Sequence, residues 1–118
     1  MTRIFRRIAF SLAIIFSPVT FADNLADSVQ ADYDDHLGYL FEHFHRNPEL
    51  STVEFETAAR MAEELKAAGF EVTESIGGTG VVAMLENGEG PLVMMRADMD
   101  GLPVEEKSGL EIASRKKR

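Results

Sequence analysis

Leu92-Val93-Met94-Met95-Arg96-Ala97-Asp98-Met99-Asp100-Gly101-Leu102-Pro103 is the stretch that decides how this chain folds. Four successive apolar residues without alternation mark a strand covered on both faces of a sheet. In α/β sheets, ligand sites gather just beyond the carboxyl ends of such strands. Asp98 and Asp100 stand two residues apart, so a continuing strand would turn both carboxylates to one side, where they could share a cation or a proton. Arg96 or a metal ion would supply the counter-charge that two neighbouring acids need. The same Asp-x-Asp-Gly spacing also suits a plain turn at a strand end, and spacing alone leaves both readings open.

The residues upstream set the context. Leu37, Leu40, Phe41 and Phe44 recur at helical spacing, which predicts an amphipathic helix between Tyr33 and Asn47, stopped by Pro48. Ser51-Thr52-Val53-Glu54 matches the S-x-x-E capping box and predicts a second helix that runs through Ala58, Ala62 and Leu65 to Gly69. Beyond Gly69 the pattern changes to short β-prone runs, Phe70–Thr73, Gly80–Leu85 and Leu92–Ala97, separated by Gly77-Gly78 and by Asn87-Gly88-Glu89-Gly90-Pro91. The expected fold class is therefore α/β, two helices followed by three strands. Two helices can cover one face of that sheet and little remains for the other, so more protein is expected to follow.

The amino end carries a different signal. Arg3, Arg6 and Arg7 precede an apolar run from Ile8 to Phe16, broken only by Ser11, and Thr20 and Ala22 make a small-residue cleavage site before Asp23. Residues 1–22 are expected to be a cleaved signal peptide, with residues 23–118 exported to the periplasm or secreted. A run of nine residues is well short of the roughly 20 that cross hydrocarbon, so no stable membrane span is expected after cleavage. Cleavage would remove three arginines and no acid and move the net charge from −8 to −11. So acidic a chain does not seek nucleic acid, and the basic run Arg115 to Arg118 is too short to track phosphates. There is no cysteine, which excludes disulfides, thiol nucleophiles and thiolate metal ligands within these 118 residues.

Four blocks stand in one order: Phe44-His45-Arg46-Asn47-Pro48-Glu49-Leu50-Ser51, Ala67-Ala68-Gly69-Phe70-Glu71-Val72, Gly77-Gly78-Thr79-Gly80-Val81-Val82-Ala83, and Met95 through Glu106. Together they resemble the opening of the zinc-dependent amidohydrolases related to metallopeptidases, the family of hippurate hydrolase, the aminoacylases and the indoleacetyl-amino-acid hydrolases. The resemblance covers roughly residues 35–114. It implies that residues 23–118 are the N-terminal part of a metallopeptidase-like catalytic domain, that the full-length family uses a divalent metal, zinc or manganese, and that the substrate is a small N-acyl amino acid or peptide.

The resemblance also assigns positions. Related branches carry His-x-Asp at this strand end, the His ligating metal and the Asp supporting the site; Asp98 takes the first of these places and Asp100 the second. The amidohydrolase branch shares the replacement of His by Asp, which makes Asp100 the candidate for a supporting role and Asp98 the weaker candidate ligand. The family's other ligands, a His-Ala-Cys-Gly-His segment, a Glu-Glu pair and further His, do not occur here. Glu105-Glu106 follows the Leu-Pro turn directly and is expected to be a surface or rim feature. The chain alone is therefore expected to bind no metal and to be inactive, a truncated piece of the enzyme.

The three histidines, His36, His43 and His45, all fall in the first helical segment. His36 and His43 would lie about 10 Å apart along a helix axis, too far for one tetrahedral ion. His45 is expected to pack at an interface or to complement the helix dipole. Two other readings compete. An apolar strand ending in Asp98-x-Asp100-Gly101 also resembles the nucleophile motif of haloacid dehalogenase-type phosphatases, although that motif normally opens its fold. The chain is also compatible with a small exported protein without catalysis, or a truncated gene product.

Overall fold

The structure, a computed structural model, describes residues 21–116. The expected leader lies outside them except for its last two residues, whose backbone begins the first helix. Helix α1 spans Phe21–Asp32, passes through a π-helical turn at Tyr33–Leu37 and continues as α2, Gly38–Arg46. The turn is wide because the Gly38 amide donates to the Tyr33 carbonyl, five residues back. The predicted helix is thus present but begins well before Tyr33. It ends where Pro48 requires: the Asn47 amide donates to the His43 carbonyl at 3.1 Å, and the Asn47 side-chain amide donates to the same oxygen at 2.8 Å. Only part of the apolar stripe is covered. Leu40 and Phe44 are half-buried, whereas Leu37 and Phe41 stay exposed.

Helix α3 spans Phe55–Ala67, and Ala58 and Ala62, with Thr57, form its buried face. It ends as the sequence predicts. Gly69 has φ 89°, a left-handed conformation open to glycine, which lets its amide reach the Lys66 carbonyl and the Phe70 amide reach the Leu65 carbonyl, both at 3.0 Å. Its start does not follow the expected capping box. Ser51 and Thr52 form a turn with Thr52 at φ 74°, the helix begins one residue after Glu54, and no side chain of the box caps it. Glu49 does this instead, its carboxylate accepting from the Thr57 amide at 2.7 Å, the Thr57 hydroxyl at 2.8 Å and the Glu56 amide at 3.3 Å.

Strands β1, Glu71–Ile76, and β2, Gly80–Met84, form an antiparallel hairpin in which Val72 faces Ala83 and Thr73 faces Val82. A bulge between Thr73 and Ile76 brings Ile76 opposite Gly80. A Cβ at Gly80 would collide with the Ile76 carbonyl oxygen, so the turn closes only around a residue without a side chain. Val72, Val81 and Ala83 are half-buried against α3. Glu54, only 7 % exposed, accepts from the Thr79 hydroxyl at 2.7 Å and ties the start of α3 to the hairpin turn. His36 and Arg60 both reach Glu64, each at 2.6 Å, and join the first helix to α3.

The third expected strand does not form. Residues 91–100 carry no strand hydrogen bonding, and Leu92, Val93, Met94 and Met95 are 80 to 95 % exposed. A strand needs a neighbouring edge to satisfy its backbone groups, and among the described residues this run has none. The observed architecture is α/β with a two-stranded sheet, not three strands behind two helices.

Candidate functional site

The Asp98–Gly101 segment returns to the body of the protein beside the end of α2. Pro48 turns the chain out of the helix, and Glu49 and Leu50 then run alongside Gly101. The Gly101 amide donates to the Glu49 carbonyl at 2.6 Å, and Leu50 and Gly101 form a parallel bridge. A cleft of about 550 Å³ opens between the two segments. Phe41, Phe44 and Pro48 line it from the helix side, and Asp98, Met99, Asp100 and Leu102 from the other.

The two predicted site residues thus border one cleft, but not from a strand end. Asp98 pairs with Arg96, two residues away, and both are largely exposed. Asp100 is exposed. Arg96 therefore provides the counter-charge for one of the two aspartates. Since residues 92–97 are not a strand, the strand-end geometry common to the metal-sharing and phosphatase readings is absent here.

Glu106 and His45 meet across the same cleft, their side chains 22 and 28 % exposed, with His45 Nε2 and Glu106 Oε1 3.0 Å apart. The Ser108 hydroxyl donates to that oxygen, and the Ser114 amide donates to Glu106 Oε2 at 2.7 Å. The Ser108 hydroxyl, the Ser114 amide and His45 together hold the Glu106 carboxyl down to about 2. Glu105 is exposed, so the pair divides: Glu105 is a surface residue as expected, and Glu106 binds three partners at the edge of the cleft. The His45 ring also lies 5.9 Å from that of Phe41, consistent with an interfacial position.

The other acids act within the scaffold. Burial pushes the Glu49 carboxyl up, but the Thr57 amide and hydroxyl and the Glu56 amide outweigh this and leave it below its ordinary value. The Thr79 hydroxyl lowers Glu54, and His36 followed by Arg60 lowers Glu64. The histidines diverge: His36 goes to Glu64, His45 to Glu106, and His43 stacks edge-on against Phe44 at 5.6 Å. Among the described residues, no three His, Asp or Glu side chains converge as a metal ion would require. No helix among them is long and apolar enough to cross a membrane.

Sequence reasoning missed Glu49 and Glu106 as organising residues. Glu49 had one signal, its place just ahead of the capping box. The Glu106–His45 pairing spans 61 residues and had none.

The chain is similar to several known hydrolases. It is 49 % identical over 75 residues to a probable hydrolase of Synechocystis, which covers 62 % of this chain and 19 % of that protein. It is 46 % identical over 76 residues to the N-acetyl-L-cysteine deacetylase of Bacillus subtilis, covering 64 % and 18 %. It is 47 % identical over 73 residues to the hippurate hydrolase of Campylobacter jejuni, covering 61 % and 19 %. The chain spans about one fifth of the length of these curated relatives. Neither a family model nor a solved structure matches it.

Proposed function

Since this chain belongs to the amidohydrolase family of the hippurate and indoleacetyl-amino-acid hydrolases, we propose that it is the N-terminal part of an exported, metal-dependent enzyme that hydrolyses the amide bond of an N-acyl amino acid or small peptide. The observation that carries this is the 46 to 49 % identity to these hydrolases over 73 to 76 residues. The leader-like residues 1–22 support export.

When bound in such an enzyme, a divalent metal would supply Lewis-acid activation of the scissile amide and of a water near neutral pH. Among the described residues, no set of side chains converges to hold that ion. A zinc site needs three or four converging ligands, and here Asp98 is engaged by Arg96 while Asp100 stands alone. The contribution of this stretch is scaffolding: α2 and α3 form one wall of the cleft, and Asp100 takes a supporting place on the other.

The test is a graft in which this stretch replaces the matching residues of the Bacillus deacetylase, assayed on N-acetyl-L-cysteine. Hydrolysis that is lost on chelation and restored by zinc or manganese is the expected result. Hydrolysis that survives complete metal removal, or a folded graft with none, would refute the proposal.

A further inference from the structure

The segment from Asp98 to Ser114 lies on the protein without a fully buried apolar side chain: Met99, Ile112 and Ala113 are only half-buried. Leu102 and Val104 are 73 and 71 % exposed, and Leu110 is 55 % exposed. Asp98 contributes no anchor, because its partner Arg96 is its own near neighbour. The specific anchors are polar. The Gly101 amide donates to the Glu49 carbonyl, the Ser114 hydroxyl donates to the Arg46 carbonyl at 3.4 Å, and Glu106 gathers His45, Ser108 and Ser114. Of these, only Glu106 uses a charged group and both of its oxygens. Hydrogen bonds to an ionised carboxylate are shorter and stronger than neutral ones, so the grip of the segment is concentrated at this residue.

The placement gives Glu106 a function beyond its own neighbours. His45 is one residue from the end of α2, and Ser114 is hydrogen-bonded to Arg46 beside it. Closing Glu106 onto both pins the far end of the segment while Gly101 pins the near end. We infer that Glu106 is a positioning residue: through His45 and Ser114 it latches residues 98–114 to the end of α2 and so fixes where Asp98 and Asp100 stand in the cleft. The proposed amidohydrolase activity bears only on what that placement serves.

Amide hydrogen exchange of the full chain, resolved by NMR, tests the latch. Glu106→Ala removes it, and Glu106→Gln keeps the shape but not the charge, so the milder variant remains readable should the first fail to fold. The Thr57 amide, bonded to Glu49 on another element, is the reference. In at least one of the two variants, the Ser114 and Gly101 amides should exchange at least about tenfold faster while Thr57 is unchanged. Acceleration at Ser114 alone would show a local staple that positions nothing, and acceleration at neither would show no latch; either overturns the inference. In the deacetylase graft, Glu106→Gln should lower kcat with KM within about twofold. A graft inactive with Glu106 intact would refute the amidohydrolase reading and leave the exchange result standing.

Discussion

The carboxylate of Glu49 caps the helix that carries Thr57: one oxygen lies 2.7 Å from the Thr57 amide and 2.8 Å from its hydroxyl, and the other accepts from Glu56. Two orphan amides of the first turn are satisfied from outside the helix, and a negative charge sits at the positive end of its dipole. Glu49→Ala should destabilise the chain by about 1 kcal/mol, with Glu49→Gln losing less. Thermal unfolding followed by far-UV circular dichroism checks it, and an Ala variant as stable as the wild type would remove Glu49 from this role.

Gly80 makes a second prediction local to the hairpin. Gly80→Ala drives a Cβ into the Ile76 carbonyl and should cost about 1–3 kcal/mol, opening the turn. Loss of the cross-strand contacts between Val72 and Ala83 in NMR spectra is the expected signature, and their survival would show that the turn relaxes without harm.

The Glu106 latch should depend on pH in a definite direction. Its folded pKa, about 2, lies below the ordinary 4.5, so ionised Glu106 stabilises docking above the ordinary value, and the contribution is lost as pH falls from there through 2. Ser114 amide protection should therefore hold near pH 5 and decay below about pH 4, while the same titration of Glu106→Gln should lack that step. A step of equal size in both proteins would assign it to other groups, among them Glu49, which is also lowered.

Much of this was present in the sequence, for identifiable reasons. Ala58, Ala62 and Leu65 at helical spacing, closed by Gly69, gave α3 because the signal and the packing are both local. Pro48 stopped α2 by sterics alone, and Gly77-Gly78 marked the hairpin. The run Leu92–Met95 carried the composition of a covered strand, but a strand requires an edge to pair with, which composition does not supply. The capping box at Ser51 failed because Ser51 and Thr52 form a turn and the helix starts later, at Phe55, where Glu49 reaches the Glu56 and Thr57 amides with a longer, charged side chain. The relation of Glu106 to His45 depends on how the chain folds back, and no periodicity records it.

The two aspartates should not be equivalent. Asp98 spends its charge on Arg96, whereas Asp100 holds the supporting position by resemblance. In the deacetylase graft, Asp100→Asn should lower kcat more than Asp98→Asn, by about tenfold or more if Asp100 orients a ligand. Equal or reversed losses would overturn the assignment.

The sequence distances across these contacts imply an order of events during folding. Glu54 and Thr79 are 25 residues apart, and helix α3 and its hairpin close over short loops, so that unit can assemble early. His45 and Glu106 must find each other across 61 residues, and their closure carries the larger entropic cost with little apolar burial to drive it. Of these two closures, the one that places the turn bearing Asp98 and Asp100 should therefore form later and open earlier on unfolding.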